Sequence, residues 1–323
     1  MDGLPHSSPD LDYPGLSAGV APVQRTLKTA ICCAGAGLHS GREVRVTLRP
    51  APANSGVVFR RTDLGVDIAG RFDRVTDTRL CTVVSSASEP QARVGTVEHL
   101  MAALAGCEVG NVVVELDGPE LPVLDGSAEP WTFLLRCAGI AVQDAPVRAI
   151  EVLRTVRVQD GDAFAELRPG NTACLEMALS IAFNAPAIGR QALTMTLRPD
   201  TFAQIARART FTLSHEIAGL QEAGLAQGGS LDNAVVVDGA RVLNPGGLRM
   251  ADEFVRHKLL DAVGDLALAG APLHGRFVGH RSGHALNNRL LRALFADAAN
   301  WRLATSASAH GWRESMQETA AAA

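Results

Sequence analysis

The chain of 323 residues has no apolar run long enough to cross a bilayer as a helix. That excludes a helical membrane protein. Aromatic residues make up only 4%, so core volume has to come from Leu, Val, Ile and Ala. There is no basic excess: the formal net charge is −4, which argues against sequence-independent nucleic-acid binding. None of the six cysteines (Cys32, Cys33, Cys81, Cys107, Cys137, Cys174) belongs to a Cys-x-x-Cys pair. They read as small hydrophobes kept reduced. Residues 1–24, rich in Pro, Ser, Gly and Asp, lack both the cationic start and the apolar stretch of an export signal. They read as a disordered extension, and a cytoplasmic location is the expectation. No Walker-type loop is present, and Gly35-Ala36-Gly37 lacks the third glycine of a dinucleotide loop.

What is present is enough hydrophobic residue, 47% against 20% charged, for a large core in a chain of two-domain length. Alternation and turn residues predict strands over 26–33, 43–48, 57–61 and 111–116, with helices over 97–105 and 127–137. Gln143-Asp144-Ala145-Pro146 reads as a linker. Beyond it strands are predicted over 150–158, 163–167, 173–181, 192–197 and 234–237, and helices over 201–208, 215–223, 251–269 and 283–295. Both halves open with hairpins and close with helices. The fold class is therefore α+β, with two similar domains over 25–144 and 148–300 and a tail over 301–323 that is frayed at its end.

The helix predicted over 251–269 carries the chemistry. At about 100° per residue its Leu259, Leu260, Val263, Leu266 and Ala267 form one apolar arc. The opposite side holds His257, Asp261, Gly264 and Asp265. A solvated face would carry longer charged residues, and a helical Gly costs about 1 kcal/mol. Something other than solvent is therefore expected against Gly264. In Thr96-Val97-Glu98-His99-Leu100 the other helix begins, with Thr96 as its predicted N-cap. Glu98 and His99 fall in the first turn, where the helix dipole favours an ionised carboxylate and a neutral imidazole. Together the two segments supply three N/O ligands and a base, the parts of a hydrolytic metal site with an open position. His280 and His284 add two candidate acid/base groups.

At these segments the chain resembles the zinc-dependent UDP-3-O-acyl-N-acetylglucosamine deacetylase family of lipid A biosynthesis. The likeness runs from about residue 25 to 295. It is carried by Gly35-Ala36-Gly37-Leu38-His39-Ser40-Gly41, Leu48-Arg49-Pro50-Ala51-Pro52-Ala53-Asn54, Arg60-Arg61-Thr62-Asp63, Thr96-Val97-Glu98-His99-Leu100 and Leu124-Asp125-Gly126-Ser127-Ala128. Further on it rests on Arg207-Ala208-Arg209-Thr210-Phe211, Asp252-Glu253-Phe254-Val255-Arg256-His257-Lys258, Leu260-Asp261-Ala262-Val263-Gly264-Asp265-Leu266 and Ser282-Gly283-His284-Ala285-Leu286-Asn287-Asn288.

The resemblance implies two α+β domains, each a sheet layered on helices, with the active site between them. It implies His99, His257 and Asp261 as ligands of one Zn2+ (Fe2+ being the alternative) and Glu98 as general base. His284 becomes a cationic partner or general acid, oriented by Asp265. Thr210 polarises the scissile carbonyl, and Lys258 and Phe211 contact the sugar nucleotide. The implied substrate is an acylated UDP-sugar, whose N-acetyl group is hydrolysed to acetate and a free amine. The chain is expected to act as a monomer without inserting into a membrane. Leu213, Ile217 and Leu220 are candidates for an acyl-channel wall, with ordinary core packing the competing reading. His39 is a weaker candidate near the substrate. Two other functional readings stay open: a module with a purely structural metal, and a zinc hydrolase of some other acylated amide. The chain departs from familiar family members in its longer amino-terminal extension, at Arg79 and over 213–225, which leaves acyl-length preference unassigned.

Overall fold

The computed structural model describes residues 22–305; the expectations for 1–21 and 306–323 lie outside them. Five strands form the first large sheet in the order Ile31–Ala36, Glu43–Pro50, Val112–Leu116, Val57–Arg61, Val66–Ala69. Neighbours run antiparallel, except that Val57–Arg61 is parallel to Val112–Leu116. Alternation puts Val44, Val46 and Leu48 on one buried face, where they join Leu100, Met101 and Leu104 of α1 (Glu98–Gly106) and Trp131 and Leu135 of α2 (Glu129–Ala138).

The second large sheet uses seven strands from residues 148–305. Leu273–His280 is central: antiparallel to Ala163–Arg168, and parallel to both Arg148–Val152 and Leu175–Ala182. Its core side is filled by α5 (Glu253–Ala267) and α6 (His284–Phe295). The short α3 (Pro199–Ile205) lays Phe202 against the end of α1, where a Cβ at Gly106 would lie 2.1 Å from that ring. A small sheet of Phe211–Leu213, Val235–Asp238 and Arg241–Val242 carries α4 (Ser214–Glu222). It has its own apolar cluster around Val235, Val237 and Phe254. The mixture of helices with several sheets is the α+β class read from the sequence.

Several expectations need correcting. The predicted linker 143–146 lies in a strand, Ile140–Pro146, hydrogen-bonded antiparallel to Val23–Leu27. Its Val142, Asp144 and Pro146 face solvent, and the outward Asp144 and Pro146 are what made 143–146 read as a linker. Val23 and Gln24, placed in the extension, belong to its partner strand. Residues 301–305, assigned to the tail, form Trp301–Thr305 against Arg148–Val152. The single strands predicted over 26–33 and 150–158 are each two strands.

The central strand Leu273–His280 was not foreseen. Its inward positions include Gly275 and Gly279, so it lacks a hydrophobic stripe. A Cβ at Gly275 would lie 2.7 Å from the Arg168 carbonyl oxygen, and one at Gly279 2.7 Å from Leu179.

Candidate active site

The site lies where α1 crosses α5. Gly264 permits the approach: a Cβ there would fall 2.0 Å from the backbone oxygen of Glu98. The side of α5 expected to face something other than solvent is thus covered by α1. His257, Asp261 and Asp265 are 2–4% exposed.

The close approach brings three ligand atoms together. His257 Nε2 lies 3.3 Å from Asp261 Oδ1, one turn further along α5, and His99 Nε2 reaches the same oxygen from α1 at 3.6 Å. The two imidazoles meet edge to face, 5.1 Å between centroids. The orientation of His257 is fixed from behind. Its Nδ1 lies 3.0 Å from the Ala208 carbonyl oxygen, which only accepts, so Nδ1 carries the hydrogen and Nε2 presents its lone pair. Burial pushes the His257 imidazolium down to about 4, so the ring is neutral at pH 7. Asp261 is held ionised. Burial alone would raise it, but His257 and the Lys258 ammonium, 2.7 Å from Oδ2, outweigh that and hold it well below the usual carboxylate range.

Asp261 Oδ1 is buried and has no hydrogen-bond partner. A buried carboxylate oxygen left unpaired is costly. Here it faces the His257 Nε2 lone pair and, at 3.6 Å, the Nε2 of His99, which can offer a lone pair in its Nδ1–H tautomer. One divalent cation satisfies all three, and the N2O donor set suits a borderline ion. Among the described residues this is the only group of three or more His, Cys, Asp or Glu side chains placed to hold one. The cysteines take no part, so a closed structural Cys/His shell has no support.

A pair of acid/base groups stands beside these three side chains. Glu98 is 3% exposed, and burial raises its carboxyl above the ordinary range. Its Oε2 accepts the Thr82 amide N–H at 3.0 Å, and its Oε1 lies 3.8 Å from His284 Nε2. His284, at the start of α6, places Nδ1 2.9 Å from Asp265 Oδ2. Burial would lower this imidazolium, but Asp265 and Glu98 outweigh it and raise it to about 9. Asp265 is held in turn by Thr82 Oγ1 (2.6 Å) and Asn287 Nδ2 (2.8 Å).

Thr96 does not cap α1. It has φ +56°, and its hydroxyl donates to Glu120 Oε1. Val97 occupies the cap position, its N–H bonding to the Thr82 carbonyl.

The other candidates fall around this centre. Phe211 stacks edge to face on His257 (6.2 Å) and Phe254 (5.0 Å). Thr210, its neighbour, is two residues past the carbonyl that orients His257, and its backbone bonds Gly126 and Val235. Lys258 caps the outer oxygen of Asp261. Leu213, Ile217 and Leu220 are half-buried, and α4 has no fully buried residue. His39 keeps both ring nitrogens buried and unpartnered. His280 does not share these contacts; its Nδ1 lies 2.8 Å from Ser180 Oγ. Asn287 and Ala208 lie inside motifs that the sequence singled out, but nothing in the sequence assigned them these contacts; Thr82 lies outside every such motif and had no signal at all.

Comparison with known proteins shows the family. The family model described as LpxC, UDP-3-O-acyl N-acetylglycosamine deacetylase, matches residues 24–296. A UDP-3-O-acyl-N-acetylglucosamine deacetylase of Actinobacillus succinogenes is 50% identical over 287 residues, covering 87% of this chain and 93% of the relative. One from Stenotrophomonas maltophilia strain K279a is 50% identical over 283 residues, 86% of this chain and 92% of the relative.

Proposed function

The chain belongs to the UDP-3-O-acyl N-acetylglycosamine deacetylase family, and from that premise we propose that the α1–α5 site removes the N-acetyl group of a UDP-3-O-acyl-N-acetylglucosamine as a step of lipid A biosynthesis. One observation carries the site assignment: the orphaned, buried Asp261 Oδ1 set between His257 Nε2 and His99 Nε2, with Glu98 and His284 alongside. His99, His257 and Asp261 would hold one Zn2+, with Fe2+ the alternative. A bound ion there supplies Lewis acidity, which lowers the pKa of a coordinated water and polarises the acetyl carbonyl.

The residues divide the remaining work. Glu98 has Oε2 occupied by an amide, so Oε1 is the oxygen that takes the water's proton. The Thr210 hydroxyl makes no hydrogen bond within the described residues and is available to donate to the developing oxyanion. His284 carries a proton at neutral pH and offers it, from Nε2, to the departing amine; its other nitrogen stays fixed on Asp265. Lys258 neutralises the outer oxygen of Asp261 and borders the sugar-nucleotide position together with Phe211. The half-exposed Leu213, Ile217 and Leu220 form part of an apolar wall for the acyl chain, a reading supported by the absence of any fully buried residue on α4. Two domains meet at the α1–α5 crossing, with the bounds read from the sequence, 25–144 and 148–300, widened to 23–146 and 148–305 by the strand pairs at their ends. In support, the two large sheets draw their strands separately from residues 31–116 and 148–305. A cytoplasmic monomer completes the proposal; no helix of the described residues is long and apolar enough to cross a membrane.

The test is acetate release from the acylated UDP-sugar, before and after chelation and with Zn2+ or Fe2+ returned. Loss on chelation and recovery with metal is the expected result. Activity indifferent to chelator would refute the metal assignment. Cleavage of other acetylated amines, with none of the UDP-sugar, would refute the substrate.

A further inference from the structure

We propose that Thr82 is a positioning residue that fixes the general base and the aspartate behind His284 relative to each other, by bonding one with its amide and the other with its hydroxyl. The inference rests on the hydrolytic reading given above. Thr82 is 1% exposed and comes from the first half of the chain, from neither of the two helices that hold the ligands. All three of its polar groups are committed to the site. Its carbonyl accepts the N–H of Val97 at 3.3 Å, where α1 begins. Its N–H bonds Glu98 Oε2 at 3.0 Å, and its hydroxyl donates to Asp265 Oδ1 at 2.6 Å.

Such an arrangement does what the ligand helices cannot. Glu98 has three side-chain torsions, and the close helix approach fixes only its backbone, through Gly264. The Thr82 amide holds one carboxylate oxygen and so directs the other, Oε1, to the space it shares with His284 Nε2. On the other side Asp265 already accepts His284 and Asn287 on Oδ2. The Thr82 hydroxyl occupies Oδ1 and stops the carboxylate from rotating away from the imidazole. One short residue therefore sets the separation of base and acid. Preorganisation at that scale is what a two-proton reaction depends on.

Thr82→Val keeps the branched shape and the amide but removes the hydroxyl; Thr82→Ser restores it. With purified metal-loaded enzyme, Thr82→Val is expected to lower kcat about tenfold to a hundredfold, as for a lost bond to a buried charged group. KM and zinc content should hold, and Ser should recover most of the rate. Adding Thr82→Val to Asp265→Asn should cost little more than Asp265→Asn alone, because the hydroxyl acts through that carboxylate. Unchanged kcat in Thr82→Val would overturn the proposal. So would a loss of zinc or of folded protein in step with activity, which would make Thr82 structural, and so would fully multiplicative losses in the double variant. The wild type is assayed in parallel: failure to release acetate there would sink the proposed function, whereas an active wild type matched by Thr82→Val would sink only the role of Thr82.

Discussion

Gly264→Ala separates the geometry of the site from the stability of the fold. On an isolated helix this change is favourable by about 1 kcal/mol, since Gly is the poorer helix former. In this protein the new Cβ would stand 2.0 Å from the Glu98 oxygen, 2.7 Å from its carbonyl carbon and 2.9 Å from its Cα. All three are backbone atoms, so no side chain can swing aside. Ordinary contact begins at 3.4 Å, so α1 has to withdraw from α5 by roughly 1.4 Å. Overpacking of this kind costs about 1–3 kcal/mol, and the propensity gain offsets part of it, leaving a folded variant with a modest loss of stability. The site has far less tolerance. Metal–ligand distances hold to about ±0.2 Å, and a misplacement of about 1 Å at reacting groups costs on the order of 10² in rate. His99 moves with α1, away from His257 and Asp261. We expect Gly264→Ala to melt within several degrees of the wild type, to bind Zn2+ much more weakly in a chelator competition, and to lose about 10² or more in kcat/KM. Wild-type metal affinity and turnover in this variant would show that the close approach of the two helices does not set the site.

Other perturbations address single residues. Glu98→Gln should keep stoichiometric metal while turnover falls by about 10² or more; near-normal activity would remove Glu98 as the base. His284 is raised from 6.5 to about 9, so it is charged at neutral pH, and the alkaline limb of kcat should fall as pH climbs through that value. Its ion pair with Asp265 stabilises the fold fully below 6.5, and that contribution is lost as pH rises through about 9. Asp265→Asn removes the largest favourable cause and should move the alkaline limb to lower pH; a limb that stays in place would assign it to another group. Ile217→Trp should shift preference toward shorter acyl chains with little change in melting temperature. A uniform loss of stability would instead make α4 ordinary packing.

The cluster of His99, His257 and Asp261 was legible because its members stand on helices whose wrong-looking faces betray them. A buried side made of His, Asp and Gly has no other economical explanation, and the close contact at Gly264 is the physical form of that anomaly. The strands over 43–50 and 112–116 were legible for the same kind of reason, through alternating or continuous branched residues. Leu273–His280 was not, because a strand crowded by neighbouring backbone at Gly275 and by side chains at Gly279 uses Gly where an alternation rule looks for Val. The strand Ile140–Pro146 hid behind Gln143, Asp144 and a terminal Pro, the residue types of a linker. Thr96 looked like a cap, but its hydroxyl was drawn to Glu120, a partner 24 residues away. Thr82 was invisible: nothing in Cys81-Thr82-Val83 distinguishes a loop residue from one that bonds two carboxylates from separate helices. Such long-range partners follow from the fold and leave no local periodicity.

The central claim is that one divalent ion is gripped by two imidazoles and a carboxylate brought from two helices. Metal content per chain, measured on the wild type, His99→Ala and His257→Ala after identical loading and desalting, tests it most directly. The account predicts one ion per wild-type chain and little in either variant, each with its fold retained. A full ion in His99→Ala would contradict it, because the site would then be complete without α1.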